Sequence, residues 1–160
     1  MNKINLKPNY FLVKCIIIFL IIIAGFILIK NYIPKKNVEV VTNHYLKIAG
    51  QKIKVDLALT AKEQEQGLSG RAGLNENEGM LFVFQNSLPN FFWMKDMNFP
   101  IDMIWISKDM KVVYIKKNAT PESYPNAFGP NVNTKYVLEV VSGFSDKNNL
   151  KEGDSVELLP

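Results

Sequence analysis

Cysteine and histidine are nearly absent from this chain of 160 residues: Cys15 and His44 are the single examples of each. One cysteine excludes an intramolecular disulfide and a cysteine-based zinc site, and one histidine excludes a multi-histidine centre. The nine glycines are scattered, so no glycine-rich phosphate loop is present. Acidic residues are missing from positions 1–37, which hold six lysines. Residues 38–160 carry 13 basic against 15 acidic residues, a net charge of −2. The overall +4 therefore belongs to the leader, and a basic nucleic-acid-binding surface is not expected on the remainder. Arginine is rare too, with Arg71 alone beside 18 lysines.

What the leader does contain is an apolar run, FLVKCIIIFLIIIAGFILI at residues 11–29, with Lys14 its one charge. As a helix it would be about 28 Å long, close to the roughly 30 Å of a bilayer's hydrocarbon core. Lys14 lies near its start, where the stem can snorkel to the interface. The run is long for a cleaved signal, no small-x-small cleavage site follows it, and Cys15 precedes most of it, unlike a lipidated cysteine. Residues 1–30 are accordingly read as an uncleaved signal-anchor. Lysines flank both sides of the run, so the charge rule barely orients it. A short amino-terminal tail ahead of one span favours a single-pass protein of the cell membrane whose globular part lies outside the cytoplasm. Residues 31–44, with Pro34 and lysines, read as a linker, and His44 as an exposed linker histidine rather than a catalytic base.

Residues 45–160 read as a single mainly β domain. Ile53, Val55, Leu57 and Leu59 alternate with Lys52, Lys54, Asp56 and Ala58, the period of a half-buried strand. Ala49-Gly50-Gln51 makes a hairpin turn back to residues 45–48. Thr60 and Glu63 have the spacing of a capping box, and Gly67 ends the short helix that follows. Further strands are predicted at residues 80–84, 91–95, 101–107, 111–117, 136–141 and 155–159. The long loop at 118–133 carries three prolines, a length often tied to function. Residues 151–154 read as a turn into the last strand. The architecture expected is a compact β-barrel or sandwich with one short helix, preceded by a single transmembrane helix.

Three features could carry chemistry. Arg71 uses the planar fork suited to a carboxylate, and Glu63, Asp102 and Glu139 are its candidate internal partners, with an anionic ligand as the alternative. In FFWMKDMNFPIDMIW (residues 91–105), alternation that turns Phe92 and Met94 inward turns Trp93 and Lys95 outward as a platform for a sugar, base or anion. The methionines at 80, 94, 97 and 103 lack a cysteine or histidine neighbour to complete a copper site. Asp102 either caps a turn or points into a cleft. With Glu63, Asp96 or Glu139 it could form the two-carboxylate arrangement of a glycosidase.

The order Thr60-x-x-Glu63, Gly67-Leu68-x-x-Arg71, Gly79-Met80-Leu81-Phe82-x-Phe84, Phe92-Trp93-Met94-Lys95, Pro100-x-Asp102, Val137-Leu138-Glu139 and Gly153-Asp154 resembles the uncharacterised family known as domain of unknown function 192. The resemblance covers residues 46–159. It implies a compact, mainly β domain, commonly exported or membrane-tethered, with no established reaction. Many members carry Asn-Thr where this chain has Asp96-Met97. The resemblance groups Glu63, Arg71, Trp93, Lys95, Asp102 and Glu139 as one candidate ligand-binding constellation. The sequence therefore favours a membrane-tethered binding or accessory module, with a carboxylate-dependent glycan hydrolase or a purely structural domain as alternatives. Its expected partners are the bilayer, through the leader, and a small molecule, glycan or protein. No metal or cofactor is expected.

Overall fold

The computed structural model describes residues 44–159 together with Ile18–Leu20 and Ile23, which are helical and exposed. The predicted anchor, apart from those four residues, and the linker up to residue 43 lie outside the described residues. Among the described residues no helix is long and apolar enough to cross a membrane.

Seven strands form one sheet: β1 His44–Ile48, β2 Gln51–Ala58, β3 Glu78–Leu88, β4 Ile101–Ile106, β5 Val112–Ala119, β6 Thr134–Val141 and β7 Val156–Leu159. Two short helices, α1 Ala61–Gln66 and α2 Phe144–Lys147, and a 3-10 turn at Pro121–Ser123 complete the described elements. The strand order is β5-β4-β6-β3-β2-β1-β7. All neighbours are antiparallel except β2 and β3. That parallel pair requires a crossover, supplied by α1 and the loop after it. The sheet curls into a half-barrel. Its two edges meet at one corner, where Val112 N donates to Asp154 O (2.9 Å), Gly153 N to Val112 O (2.8 Å) and Val156 N to Met110 O (2.9 Å).

The local expectations hold where turn chemistry dictated them. Ala49 and Gly50 both take positive φ, 48° and 77°, as a two-residue hairpin requires. Thr60 Oγ1 accepts from Glu63 N (3.2 Å) while Glu63 Oε2 accepts from Thr60 N (2.8 Å) and Leu59 N (2.9 Å). The turn at 151–154 is closed by Asp154 Oδ2, which accepts from Lys151 N at 2.9 Å. His44 opens β1 opposite Val55 rather than ending a linker. The structure adds α2 and the 3-10 turn to the one helix expected.

Residues 91–95 do not form a strand. Phe92 makes one isolated bridge to Phe128, because the chain here crosses over the sheet rather than joining its edge. The two sides of the sheet each carry a core. Leu81, Ile104, Ile106, Leu138 and Val140 pack inside the curl with Leu46, Ile53, Val55 and Phe144. Met80, Phe82, Ile101, Met103, Trp105 and Val137 face outward and are covered by Leu68, Met94 and the partly buried Leu74, Phe92, Met97 and Phe128. Sealing this outer face is what the loops at 67–74 and 90–99 do, and the site lies where the seal is incomplete.

Candidate functional site

Two loops meet over the outer face. Ser69 Oγ donates to Lys95 O at 2.8 Å, Gly70 N to Asp96 O at 2.9 Å, and Asn98 Nδ2 to Arg71 O at 2.9 Å. Asp96 takes φ +55°, a left-handed conformation that Asn and Asp tolerate better than other side chains. The stitching fixes the segment that presents Trp93. Met94 is buried at 1% exposure and Trp93 is 52% exposed, so the alternation expected of a strand survives without the strand.

Between α1, Gly67 and the 90–97 segment the seal opens into a cleft of about 240 Å³. Phe82, Phe84, Phe91, Phe92, Trp93 and Met97 line its walls, and Glu139 lies at its floor. Register puts Glu139 on the outer face of β6, opposite Met80 on β3 and Met103 on β4. Its residue is 4% exposed, and Oε2 is buried with no hydrogen-bond partner. Burial pushes this carboxyl from 4.5 up to about 8, against the pull of the Arg71 guanidinium. At neutral pH the floor of the cleft is therefore mainly a neutral acid. Approach to it runs past Gly67, whose φ of +50° and ψ of −135° favour a residue without Cβ. A Cβ there would lie 3.3 Å from Phe82 Cζ and 3.9 Å from Glu139 Oε2.

The six residues grouped from the sequence separate. Glu139 and Trp93 line the cleft. Glu63 is committed to the capping box, and its two backbone hydrogen bonds, from Thr60 and then Leu59, hold its carboxyl below the ordinary range. The Lys95 side chain is exposed and lies outside the cleft lining. Arg71 pairs with Asp56 at 2.8 Å, not with Glu63, Asp102 or Glu139. Asp56 sits opposite Met80 on the outer face, the side of the sheet that the loop carrying Arg71 covers. Both partners are substantially exposed, 38% and 56% for their side chains. Surface pairs of this kind contribute about 0–1 kcal/mol. Arg71→Met should accordingly lower stability by less than about 1 kcal/mol in urea denaturation, far below the loss that a buried partner would produce.

Asp102 lies on the opposite face from Glu139. In β4 it pairs with Val140, while its neighbour Met103 pairs with Glu139, and successive residues of a strand point to opposite sides. Its fully buried carboxylate accepts from Asn118 N (2.9 Å), Gly143 N (3.3 Å) and Ser145 N (2.8 Å). It ties the end of β5 to the turn entering α2, so it caps a turn rather than facing a cleft. With Glu63 spent in the capping box as well, the two-carboxylate arrangement of a glycosidase is not assembled from these residues.

Sequence reasoning missed Phe91, Gly67 and Glu65 as cleft residues. Gly67 was legible as a helix stop, but its second role depends on what packs beneath it. The aromatic run pointed to this region, whereas Glu65 carried no separate signal on a short polar helix.

The described residues thus form a small β half-barrel with a built cleft on its outer face, an aromatic rim above and the unpartnered Glu139 carboxyl below. Residues 44–158 match the family described as Uncharacterized ACR, the domain of unknown function 192, and this chain belongs to that family. Two solved structures are similar. One is titled a putative transcription regulator from Sinorhizobium meliloti 1021, with 30% identity, 72% of this chain and 92% of that chain covered, and a TM-score of 0.67. The other is a protein of unknown function from Novosphingobium aromaticivorans DSM 12444, with 31% identity, 72% and 83% coverage and a TM-score of 0.67. No curated protein matches.

Proposed function

We propose that the domain is a non-catalytic binding module, held at the outer side of a cell membrane by residues 1–30 and using the Glu139 cleft to take its ligand. The observation that carries the reading is the buried, unpartnered Oε2 of Glu139 at the floor of that cleft. An unsatisfied buried polar atom costs free energy of about 1–3 kcal/mol, and a ligand donor that reaches it recovers part of that cost. The exposed aromatic rim, Trp93 and Phe91, supplies area that a ligand can cover. The 19-residue apolar run and the linker after it support the tether.

Tryptophan fluorescence tests this reading. Trp105 is fully buried, and its Nε1 donates to Asn90 O at 2.7 Å, so a ligand in the cleft should perturb chiefly Trp93. Titration of the full chain in detergent micelles with cell-wall sugars, short peptides, amines and anions should give a saturable change with at least one class. Trp93→Ala should weaken that binding at least tenfold while leaving the melting temperature within a few degrees. A flat response to the whole panel, together with a Trp93→Ala variant that behaves as wild type in cells, would discard the cleft as a binding site.

A further inference from the structure

We infer that the cleft receives an organic ammonium group carried on a small apolar body. The inference rests on the reading of the cleft as a binding site and goes on to name its ligand class.

The sign of the lining charge is the first argument. The described residues include 13 Lys and Arg, yet none of these lines the cleft, whereas Glu65 and Glu139 both do. An anionic ligand would meet two carboxyl groups and no compensating cation. Arg71 stands outside the lining, paired with Asp56, and its pull on Glu139 is the smaller effect beside burial.

The second argument is the balance of donors and acceptors. Gln64 and Asn90 have spent both side-chain N–H groups on the protein, and Gln66 one of its two. Gln64 Nε2 donates to Ala58 O (3.2 Å) and Val83 O (3.0 Å), and Gln66 Nε2 to Ser69 O (3.0 Å). Asn90 Nδ2 donates to Leu88 O (3.0 Å) and Thr134 Oγ1 (3.0 Å). The cleft therefore keeps few side-chain donors, chiefly the Trp93 indole N–H and one Gln66 N–H, and Glu139 becomes its deepest acceptor once the carboxyl gives up its proton. Its complement is rich in donors.

An ammonium group outranks a hydroxyl or a neutral amide on both counts. It brings up to three donors, and it brings the positive charge that lets a buried carboxyl ionise, in surroundings where a charge-assisted hydrogen bond is about twice as strong as a neutral one. The aromatic rings of Phe91, Phe92 and Trp93 add faces that attract a cation and an apolar surface for the ligand's body. A volume of about 240 Å³ fits a fragment of that kind rather than a drug-sized ligand, which needs roughly 300 Å³ or more.

Three probes of one shape decide the matter: benzylamine, benzyl alcohol and benzoate, titrated at pH 7 against the full chain in micelles with Trp fluorescence as the readout. Benzylamine should saturate with an affinity at least tenfold above that of benzyl alcohol, and benzoate should be weaker still. Glu139→Gln, nearly isosteric, should shrink the preference for amine over alcohol to less than threefold. Should that variant fail to fold, Glu65→Gln on the rim should narrow the preference in the same direction, and the wild-type ranking stands by itself. If the alcohol or benzoate binds as tightly as the amine, or if Glu139→Gln keeps the full preference, the ammonium assignment is overturned while the cleft remains a binding site. If none of the three saturates, the ammonium assignment falls; should the wider panel be flat and Trp93→Ala silent as well, the binding reading falls with it.

Discussion

Stability should fall by on the order of 5 kcal/mol as the pH rises from 4.5 to 8, through the titration of Glu139 alone. The buried carboxyl holds its proton in the folded domain up to about 8, against an ordinary value of 4.5. In that window the folded state binds more protons than the unfolded chain. The slope of unfolding free energy against pH is then negative, about −1.4 kcal/mol per pH unit at most. The stabilisation is complete below 4.5, drains away up to about 8, and changes no further above it. Carboxylates with lowered values, Glu63 and Glu122, act in the opposite sense at acid pH. The informative quantity is therefore the difference between wild type and Glu139→Gln, in which their contributions cancel. Urea denaturation at a series of pH values should show the two nearly equal at pH 4 and the glutamine variant more stable by several kcal/mol at pH 9. Parallel curves would mean that position 139 is hydrated rather than sealed.

Asp102→Asn should cost about 2–4 kcal/mol, since hydrogen bonds to a charged acceptor are worth roughly 1.5–3 kcal/mol each. Asparagine keeps the shape but loses the charge and turns one N–H₂ towards a backbone donor. Whichever way the amide is flipped, it leaves either Ser145 N or the pair Asn118 N and Gly143 N without an acceptor. The lowered urea midpoint should be accompanied by faster hydrogen exchange at those three amides. Binding of a cleft ligand to the fraction still folded should be unaffected, because Asp102 faces away from Glu139. A variant as stable as wild type would show that the carboxylate is not the capping group.

The parts of the fold that were legible are those fixed by local chemistry. Thr60, Glu63 and Gly67 specify a helix from end to end within eight residues, and the alternation of residues 52–57 specifies a strand and its inward face; it breaks at the end of β2, where Ala58 is buried and Leu59 exposed. The failures arose where distant residues decide. Residues 91–95 have the composition of a strand, but the edges of the sheet are held by β5 and β7, and the segment instead becomes a cover whose apolar residues seal the outer face. Arg71 was rightly expected to need a carboxylate. Its partner, Asp56, was read only as a polar tooth in an alternating strand, since its proximity follows from the crossover between β2 and β3. Asp102 and Glu139 belong to adjacent strands, and a register one residue different would have put them on the same side. No pattern within either strand states that offset.

The pairing of β1 with β7 has a consequence for how this domain is made. β1 takes Val156–Leu159 as one neighbour, so a nascent chain cannot complete this sheet until Leu159 has emerged. Until then the backbone edge of residues 44–48 stays open, able to recruit a strand from another molecule. Loss of Val156–Leu159 would leave that seam permanently unzipped, and the shortened product should appear in aggregates before any defect in the cleft could be measured.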